Sequence, residues 1–210
     1  RTIERDPERT WQLLRDAASR ATEWITVDTL AQPYARGILA EPVRWAEIEQ
    51  LAYSPSRWER RLAGSTIATI PFVDRRAGRR PEVATRGLAI IGNLIGDAEP
   101  DVQKALAWAL RSLAHADRDA VAGFLEREAA RAADRRDGNR AWVIRDALPA
   151  VDDARAAGIR ARLEGIRRRP DGQPTSDAAA IASAFWSANP DLRGIRSAQG
   201  TRQAVGGVRP

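Results

Sequence analysis

An internal repeat constrains the fold of this 210-residue chain more than any other feature of its sequence. The segment 56–63 can be laid over the segment 100–107, and a weaker third copy covers residues 139–145. The offsets, about 40 to 44 residues, are typical of paired helices that stack side by side, because a single pair cannot bury its apolar face alone. The repeat therefore predicts an all-α solenoid.

Helical periodicity covers most of the chain. Apolar residues recur three and four positions apart, and no segment sustains the period-two alternation of a β-strand. The predicted helices span residues 8–19, 22–39, 42–52, 56–71, 81–95, 101–114, 118–133, 139–148 and 152–168. They predict a HEAT-like repeat domain over residues 1–169, a curved right-handed superhelix with a concave basic face. A C-terminal tail over residues 170–210 is expected to hold a short helix near 177–186 and then to be disordered.

Residue types that are absent or scarce exclude several kinds of site. The chain has no Cys, which excludes disulfides, iron–sulfur clusters and thiolate zinc sites, and its single His, His115, cannot form a His cluster. No apolar run approaches the ~20 residues that a membrane-spanning helix requires. We expect no metal, no cofactor and no membrane contact, and a cytoplasmic, nucleoid-associated prokaryotic monomer. Because the chain starts at Arg1 and lacks Met, we also expect it to be a fragment without its N-terminal portion.

The chain is basic, and nearly all of its positive charge is arginine. There are 34 Lys and Arg residues against 28 acidic ones, for a net charge of +6, and Lys104 is the sole lysine. A GC-rich genome that encodes Arg in place of Lys would explain this bias. A phosphate-binding surface would explain it too, since Arg offers bidentate hydrogen bonds to phosphate and stacks on planar groups. Composition alone leaves both explanations open.

Three predicted helices combine Trp with charged residues three or four positions apart, so that each set shares one helix face. The sets are Trp24 with Asp28; Trp58 with Arg61, flanked by Arg57 and Arg60; and Lys104 with Trp108 and Arg111. Taken singly, a Trp is usually a core residue, an Asp a solvated one and an Arg a surface charge with weak ion pairs. Their recurrence along the predicted concave face favours a shared binding surface.

The same segments resemble the AlkD-type DNA alkylation repair family, the HEAT-like-repeat alkylpurine DNA glycosylases. The motifs Trp-x-x-x-Asp, Trp-x-Arg-Arg and Lys-Ala-x-x-Trp-Ala-Leu-Arg occur in this order, within a region from residue 11 to residue 148. The residues that match family active-site positions are Asp28, Trp24, Trp108 and Arg61. Candidate DNA-binding residues are Arg111, Lys104, Arg60 and Arg57. Of these, Arg111 falls on a position at which the family contacts the DNA backbone.

Two features depart from the family pattern. Ile25 stands where members commonly carry an acidic residue directly after the first Trp. Members also have additional N-terminal helices that help to hold the DNA, and this chain starts too late to include them. The second departure bears on DNA affinity and leaves the chemical site itself in place.

The residue types fit the chemistry that the resemblance implies. An N7-alkylguanine or N3-alkyladenine already carries a positive charge, so the base can leave without a general acid. Asp28 could stabilise the oxocarbenium-like sugar and orient water, while Trp faces attract the cation. Strand cleavage by β-elimination would need an amine nucleophile, and Lys104 lies in a stripe typical of a phosphate contact. We therefore expect a monofunctional glycosylase acting on double-stranded DNA, and the resemblance implies recognition through the backbone without a base-flipping pocket.

Two other classes of function remain open at this point: a catalytically silent HEAT-repeat DNA-binding protein, and a protein-interaction scaffold. Asp28 distinguishes the enzyme from the silent binder, because a carboxylate repels the DNA backbone and only the glycosylase needs one. A scaffold would present an apolar, Leu-rich concave face instead of the observed arginines. The glycosylase interpretation therefore requires Asp28 to share a groove with Arg61 and Trp108.

Overall fold

The computed structural model describes residues 6–190, which are predominantly helical and contain no β-strand. Their α-helices are α1 (Pro7–Arg20), α2 (Trp24–Ala40), α3 (Trp45–Ala52), α4 (Arg57–Val73), α5 (Pro81–Leu94), α6 (Pro100–Leu113), α7 (Arg118–Arg135), α8 (Gly138–Ala147), α9 (Asp153–Arg162) and α10 (Asp177–Ala188). Short 3-10 turns, Pro42–Arg44 and Leu148–Ala150, precede α3 and follow α8. The predicted all-α fold is confirmed. Across the described range, no helix has the length and apolar character needed to cross a membrane.

Acidic side chains fix where half of these helices begin. In each case the residue just before the helix accepts a hydrogen bond from the backbone N–H three residues further on. These residues are Asp6, Glu23, Asp117, Asp137 and Asp152. This bond satisfies one of the N–H groups that the first helical turn leaves unpaired. The cap at Glu23 sets the start of α2, and with it the helical position of every residue on that helix.

The helices pack in two rows. α2, α4, α6 and α8 lie side by side as an inner row, α3, α5, α7 and α9 pack in sequence as an outer row, and α1 packs against α2 and α4. Small residues let the inner helices approach closely, since a Cβ added to Gly64 of α4 would lie 2.9 Å from the Cβ of Ala105 in α6. Aliphatic side chains such as Ile67, Ile91 and Leu106 are fully buried in the core. This arrangement is that of a helical-repeat solenoid.

Equivalent positions of the inner helices form one surface. The fifth residues of α2, α4, α6 and α8 are Asp28, Arg61, Lys104 and Trp142. The ninth residues of α4 and α6 are Ser65 and Trp108, which lie one turn further along the same helix face. We call the surface that these positions form the site face. It includes at least one member of each of the three sets of Trp and charged residues that the sequence singles out.

The helix predicted over residues 152–168 is wrong in its last six residues, 163–168. α9 ends at Arg162, and Gly165 turns the chain with a φ of +71°, a left-handed conformation that glycine adopts without steric cost. Residues 163–176 then form a non-helical segment, which we call the strap. The predicted domain boundary at residue 169 falls inside this strap.

The strap and α10 run back along the solenoid. The backbone N–H of Thr175 donates to the carbonyl oxygen of Gly96 (2.8 Å), which lies in the loop before α6. α10 packs on α5, and the indole N–H of Trp186 donates to the carbonyl oxygen of Pro55 (2.7 Å). α10 occupies the region in which the sequence predicts a short helix, whereas the disorder predicted after it lies outside the described residues.

Candidate active site

Three hydrogen bonds from α4 hold the carboxylate of Asp28 on the site face. Arg61 donates from Nε to Oδ1 (3.1 Å) and from Nη2 to Oδ2 (2.7 Å), and the hydroxyl of Ser65 donates to Oδ1 (2.6 Å). Charge-assisted bonds of this bidentate kind fix the plane of a carboxylate as well as its position. The packing of α2 on α4 thus brings together Asp28 and Arg61, which the sequence places in two separate sets.

Arg61 is itself fixed by a third inner helix. Its Nη1 donates to the backbone carbonyl of Asp101 in α6 (2.7 Å), and only 8% of its side chain is exposed. All three of its guanidinium nitrogens therefore donate to groups of the protein. Arg61 acts as a positioning residue for Asp28 and links α2, α4 and α6.

Asp28 keeps one side open to solvent. Its side chain is 22% exposed, although Arg61 beside it is buried. A carboxylate offers about four lone-pair positions. Within residues 6–190, Oδ1 accepts two hydrogen bonds and Oδ2 accepts one. Oδ2 therefore retains an acceptor position that a water molecule or a sugar could approach from the site face.

The two tryptophans that the sequence assigns to the active site lie on the same face. Trp24 is the first residue of α2, one turn before Asp28 and about 6 Å from it along the helix axis. Its side chain is half exposed, so its ring faces solvent. Trp108 is partly buried and packs against the hydrophobic core, with part of its surface open. Asp28 thus has an aromatic residue on its own helix and another in the inner row.

The other basic side chains that the sequence assigns to DNA differ in their exposure to solvent. Lys104 is exposed, and Arg57 is exposed above the ring of Trp58, with a 3.5 Å ion pair to Glu99. Arg111 is one-third exposed and donates from Nη1 to the carbonyl oxygen (2.6 Å) and to Oδ2 (2.8 Å) of Asp146 in α8. Exposed ion pairs contribute about 0–1 kcal/mol. A phosphate could therefore displace the carboxylate partners of Arg57 and Arg111 at small cost.

The structure does not bring Arg60 to the site face. Its side chain is buried, and its Nε donates to Oδ2 of Asp97 (2.7 Å), which is buried as well. Its Nη1 donates to the carbonyl oxygens of Ser54 (2.8 Å) and Pro55 (3.0 Å). Arg60 thus joins the loop before α4 to the loop before α6. It stabilises the packing of two repeats and presents no surface to DNA, contrary to the role expected from the sequence.

Two residues of the site were missed by the sequence analysis. Ser65 lies four positions after Arg61, so the same helical spacing that groups Trp24 with Asp28 could have indicated it. Asp146 in α8 gave no signal, because its contact with Arg111 joins helices 35 residues apart. Among residues 6–190, no three His, Asp or Glu side chains cluster in a way that could bind a metal ion. What the site face offers chemically is an oriented carboxylate beside aromatic and cationic groups.

A family model described as DNA alkylation repair enzyme matches residues 1–149, a range that contains α1 to α8 and the whole site face. The chain belongs to the DNA alkylation repair enzyme family. The resemblance drawn from the three sequence segments is thereby confirmed, and membership supports a role as an enzyme of DNA repair. No curated protein and no solved structure matches the chain. In this family member, the strap and α10 follow the matched range.

Proposed function

We propose that this DNA alkylation repair family member is a monofunctional DNA glycosylase that excises cationic alkylated purines, N7-alkylguanine and N3-alkyladenine, from duplex DNA. The observation that carries the proposal is the partly exposed carboxylate of Asp28, held in a fixed orientation by Arg61 and Ser65. A surface that only bound phosphate would gain nothing from this group, since it repels the backbone. Cleavage of a glycosidic bond benefits from it directly.

The reaction needs little from the protein besides electrostatics. In an alkylated purine the C1′–N bond breaks with its electron pair moving to the cationic base, which leaves as a neutral molecule. The deoxyribose becomes an oxocarbenium-like cation, and water adds at C1′ and releases a proton. Asp28 stabilises the sugar cation and orients the water through the open side of Oδ2. Trp24 and Trp108 offer aromatic faces to the positive charge, at about 0.5–2 kcal/mol each.

The exposure of these groups supports recognition at the surface of the duplex. Asp28 and Trp24 lie on an open face of the inner row of helices, so an alkylated base could reach them while it stays close to the DNA duplex. We assign Lys104, Arg57 and Arg111 to contacts with the phosphates of that duplex. Contacts to the backbone carry no sequence information, which suits an enzyme that must find damage in any sequence.

The presence of a single lysine in the sequence supports monofunctional action. Strand cleavage by β-elimination requires an amine that forms a Schiff base with the sugar. Lys104 is the sole lysine of the sequence, and it is exposed at the fifth position of α6, where we assign it to a phosphate. The product is then an abasic site in an intact strand. Borohydride treatment during the reaction should give no covalent protein–DNA adduct.

The test is the release of 7-methylguanine and 3-methyladenine from methylated duplex DNA. The parent protein should release both bases, and Asp28→Asn should not. The control is Asp153→Asn, which changes an exposed carboxylate on α9 and should behave as the parent. Circular dichroism verifies that each variant is folded. Steeply salt-dependent DNA binding without base release would identify a catalytically silent binder instead. Absence of DNA binding would favour a protein scaffold.

A further inference from the structure

A second arginine cluster lies away from Asp28, where the strap meets the start of α8. A cavity of about 500 Å³ separates these two segments. Its lining includes five arginines and a single carboxylate, that of Asp137. The arginines are Arg135, Arg136, Arg167, Arg168 and Arg169, which we call the strap cluster. Three of them follow residue 149, where the match to the repair family ends.

Asp137 does not neutralise the strap cluster, because its oxygens are engaged elsewhere. It is buried, caps α8 by accepting from the backbone N–H of Arg140 (3.0 Å), and accepts from Nε of Arg140 (3.1 Å) and from the hydroxyl of Thr175. Arg135, Arg136, Arg167 and Arg169 are exposed. None of the four makes a side-chain hydrogen bond or an ion pair with any residue of the 6–190 range. Four like charges around one cavity repel each other until an anion binds.

Backbone contacts hold these charges together against that repulsion. Arg136 caps the C-terminus of α7 in the left-handed conformation, with a φ of 50°, which only a small share of non-glycine residues adopt. The carbonyl group of Arg167 packs directly on Gly138, so closely that a side chain at residue 138 would overlap it. The amide of Asn139 donates to the carbonyl oxygen of Gln173 (2.9 Å). The strap is therefore fastened at Arg167 and again at Gln173, which flank Arg168 and Arg169.

The strap cluster is continuous with the site face through Arg168. This side chain donates from Nη1 to Oε1 of Gln103 in α6 (2.8 Å), and its guanidinium lies 5.9 Å from the ring centroid of Trp142. Trp142 is the fifth residue of α8, the position that Asp28 holds in α2. Neighbouring helix axes lie about 8–10 Å apart, so the three steps from α2 to α8 span roughly 24–30 Å. Along duplex DNA this distance corresponds to about 7–9 base pairs at 3.4 Å each.

We propose that the strap cluster is a second phosphate-binding site, which contacts the DNA backbone about 7–9 base pairs from the lesion on one side. The proposal rests on the proposed function, because it takes the DNA to be centred on Asp28. Arg supplies bidentate contacts to phosphate, and each neutralised phosphate releases condensed counterions. An acidic protein segment could bind the same charges, but continuity with the site face favours the duplex.

The first experiment measures binding alone. Affinity for an unmodified 30-base-pair duplex is followed by fluorescence anisotropy at several salt concentrations, for the parent, for Arg167→Ala/Arg169→Ala and for the control Arg86→Ala/Arg160→Ala. The control removes two exposed arginines from the outer row. The strap variant should bind about tenfold more weakly than the control and lower the salt slope by about 2. Equal DNA affinity and equal salt slope for the two variants would overturn the proposal. It would also be overturned if the strap variant kept the parental salt slope while the parent bound an acidic peptide through these arginines.

The second experiment fixes the distance. Duplexes with one 7-methylguanine carry arms of 5 or 15 base pairs on either side, and KM for base release is measured for each. For the parent, shortening the arm that reaches the strap cluster should raise KM by about the same factor as the Arg167→Ala/Arg169→Ala substitution does on the long duplex. For that variant, shortening the same arm should leave KM unchanged. If the short arm raised KM in the variant as much as it does in the parent, the position assigned to the strap cluster along the duplex would be wrong. If no protein releases base, the proposed function fails, while the binding experiment still decides on the strap cluster.

Discussion

Replacing Ser65 with Ala should slow base release, because the hydroxyl of Ser65 orients the reacting carboxylate. The substitution removes the 2.6 Å hydrogen bond to Oδ1 of Asp28 and leaves both bonds from Arg61 in place. A hydrogen bond to a charged group contributes about 1.5–3 kcal/mol. If about 1.4 kcal/mol of this orients Asp28 in the transition state, the rate falls about tenfold. The loss should appear in kcat, with KM changed less than twofold, because Ser65 is fully buried and cannot touch DNA.

A second buried serine provides the matched control. Ser112 in α6 is as inaccessible as Ser65, and its hydroxyl has no hydrogen-bond partner among the described residues. Ser112→Ala therefore removes an unsatisfied polar group, which should leave kcat unchanged and stability equal or higher. Single-turnover release of 7-methylguanine measures the rate, and thermal unfolding measures the stability. Parental kcat in Ser65→Ala, or equal losses in both variants, would refute the orienting role.

Three further predictions concern other contacts. Asp146→Ala releases Arg111 from its exposed carboxylate partner, so affinity for duplex DNA measured by anisotropy should rise a few-fold; a fall would contradict this. Gly64→Ala forces a Cβ to within 2.9 Å of Ala105, so the free energy of unfolding measured in urea should fall by about 1–3 kcal/mol, and an unchanged value would count against close helix packing. Burial raises the pKa of Tyr34, whose hydroxyl has no hydrogen-bond partner within residues 6–190. Above about pH 10 this tyrosine ionises in the unfolded chain before it does in the folded protein, so the free energy of unfolding of the parent should fall as the pH rises further. Tyr34→Phe should lack that alkaline loss and be at least as stable at neutral pH; a marked destabilisation would reveal a hydrogen bond.

The parts of the fold that depend on local sequence were predictable. Helical periodicity and the repeat offset indicate the inner helices and the shared face of Trp24 and Asp28, because neighbours three and four positions apart set that face. The predicted helix after residue 152 extended too far, since charged and apolar residues continue in a helical pattern beyond Arg162. Gly165 was the local signal that could have stopped it, as it supplies the left-handed turn.

The partners of the charged residues were not predictable, because they come from distant segments. Arg60 and Arg61 are adjacent and chemically identical, yet Arg60 is paired with Asp97 in the core while Arg61 supports Asp28 at the surface. Helical spacing cannot distinguish them, since each partner lies more than 30 residues away in the chain. The same holds for Arg168, whose contact with Gln103 depends on the course of the strap. Charge patterns therefore located the surface and left the role of each arginine to tertiary structure.

If the charge of Asp28 drives base excision, the Asp28→Asn variant must be slow in a single turnover on duplex DNA that contains 7-methylguanine. The amide keeps the size of the side chain and removes its negative charge. We expect the rate to fall by about 10²–10⁴, with DNA affinity unchanged or higher because one repulsive charge is lost. Release of 7-methylguanine at the parental rate by a folded Asp28→Asn protein would show that the charge of Asp28 does not drive base excision.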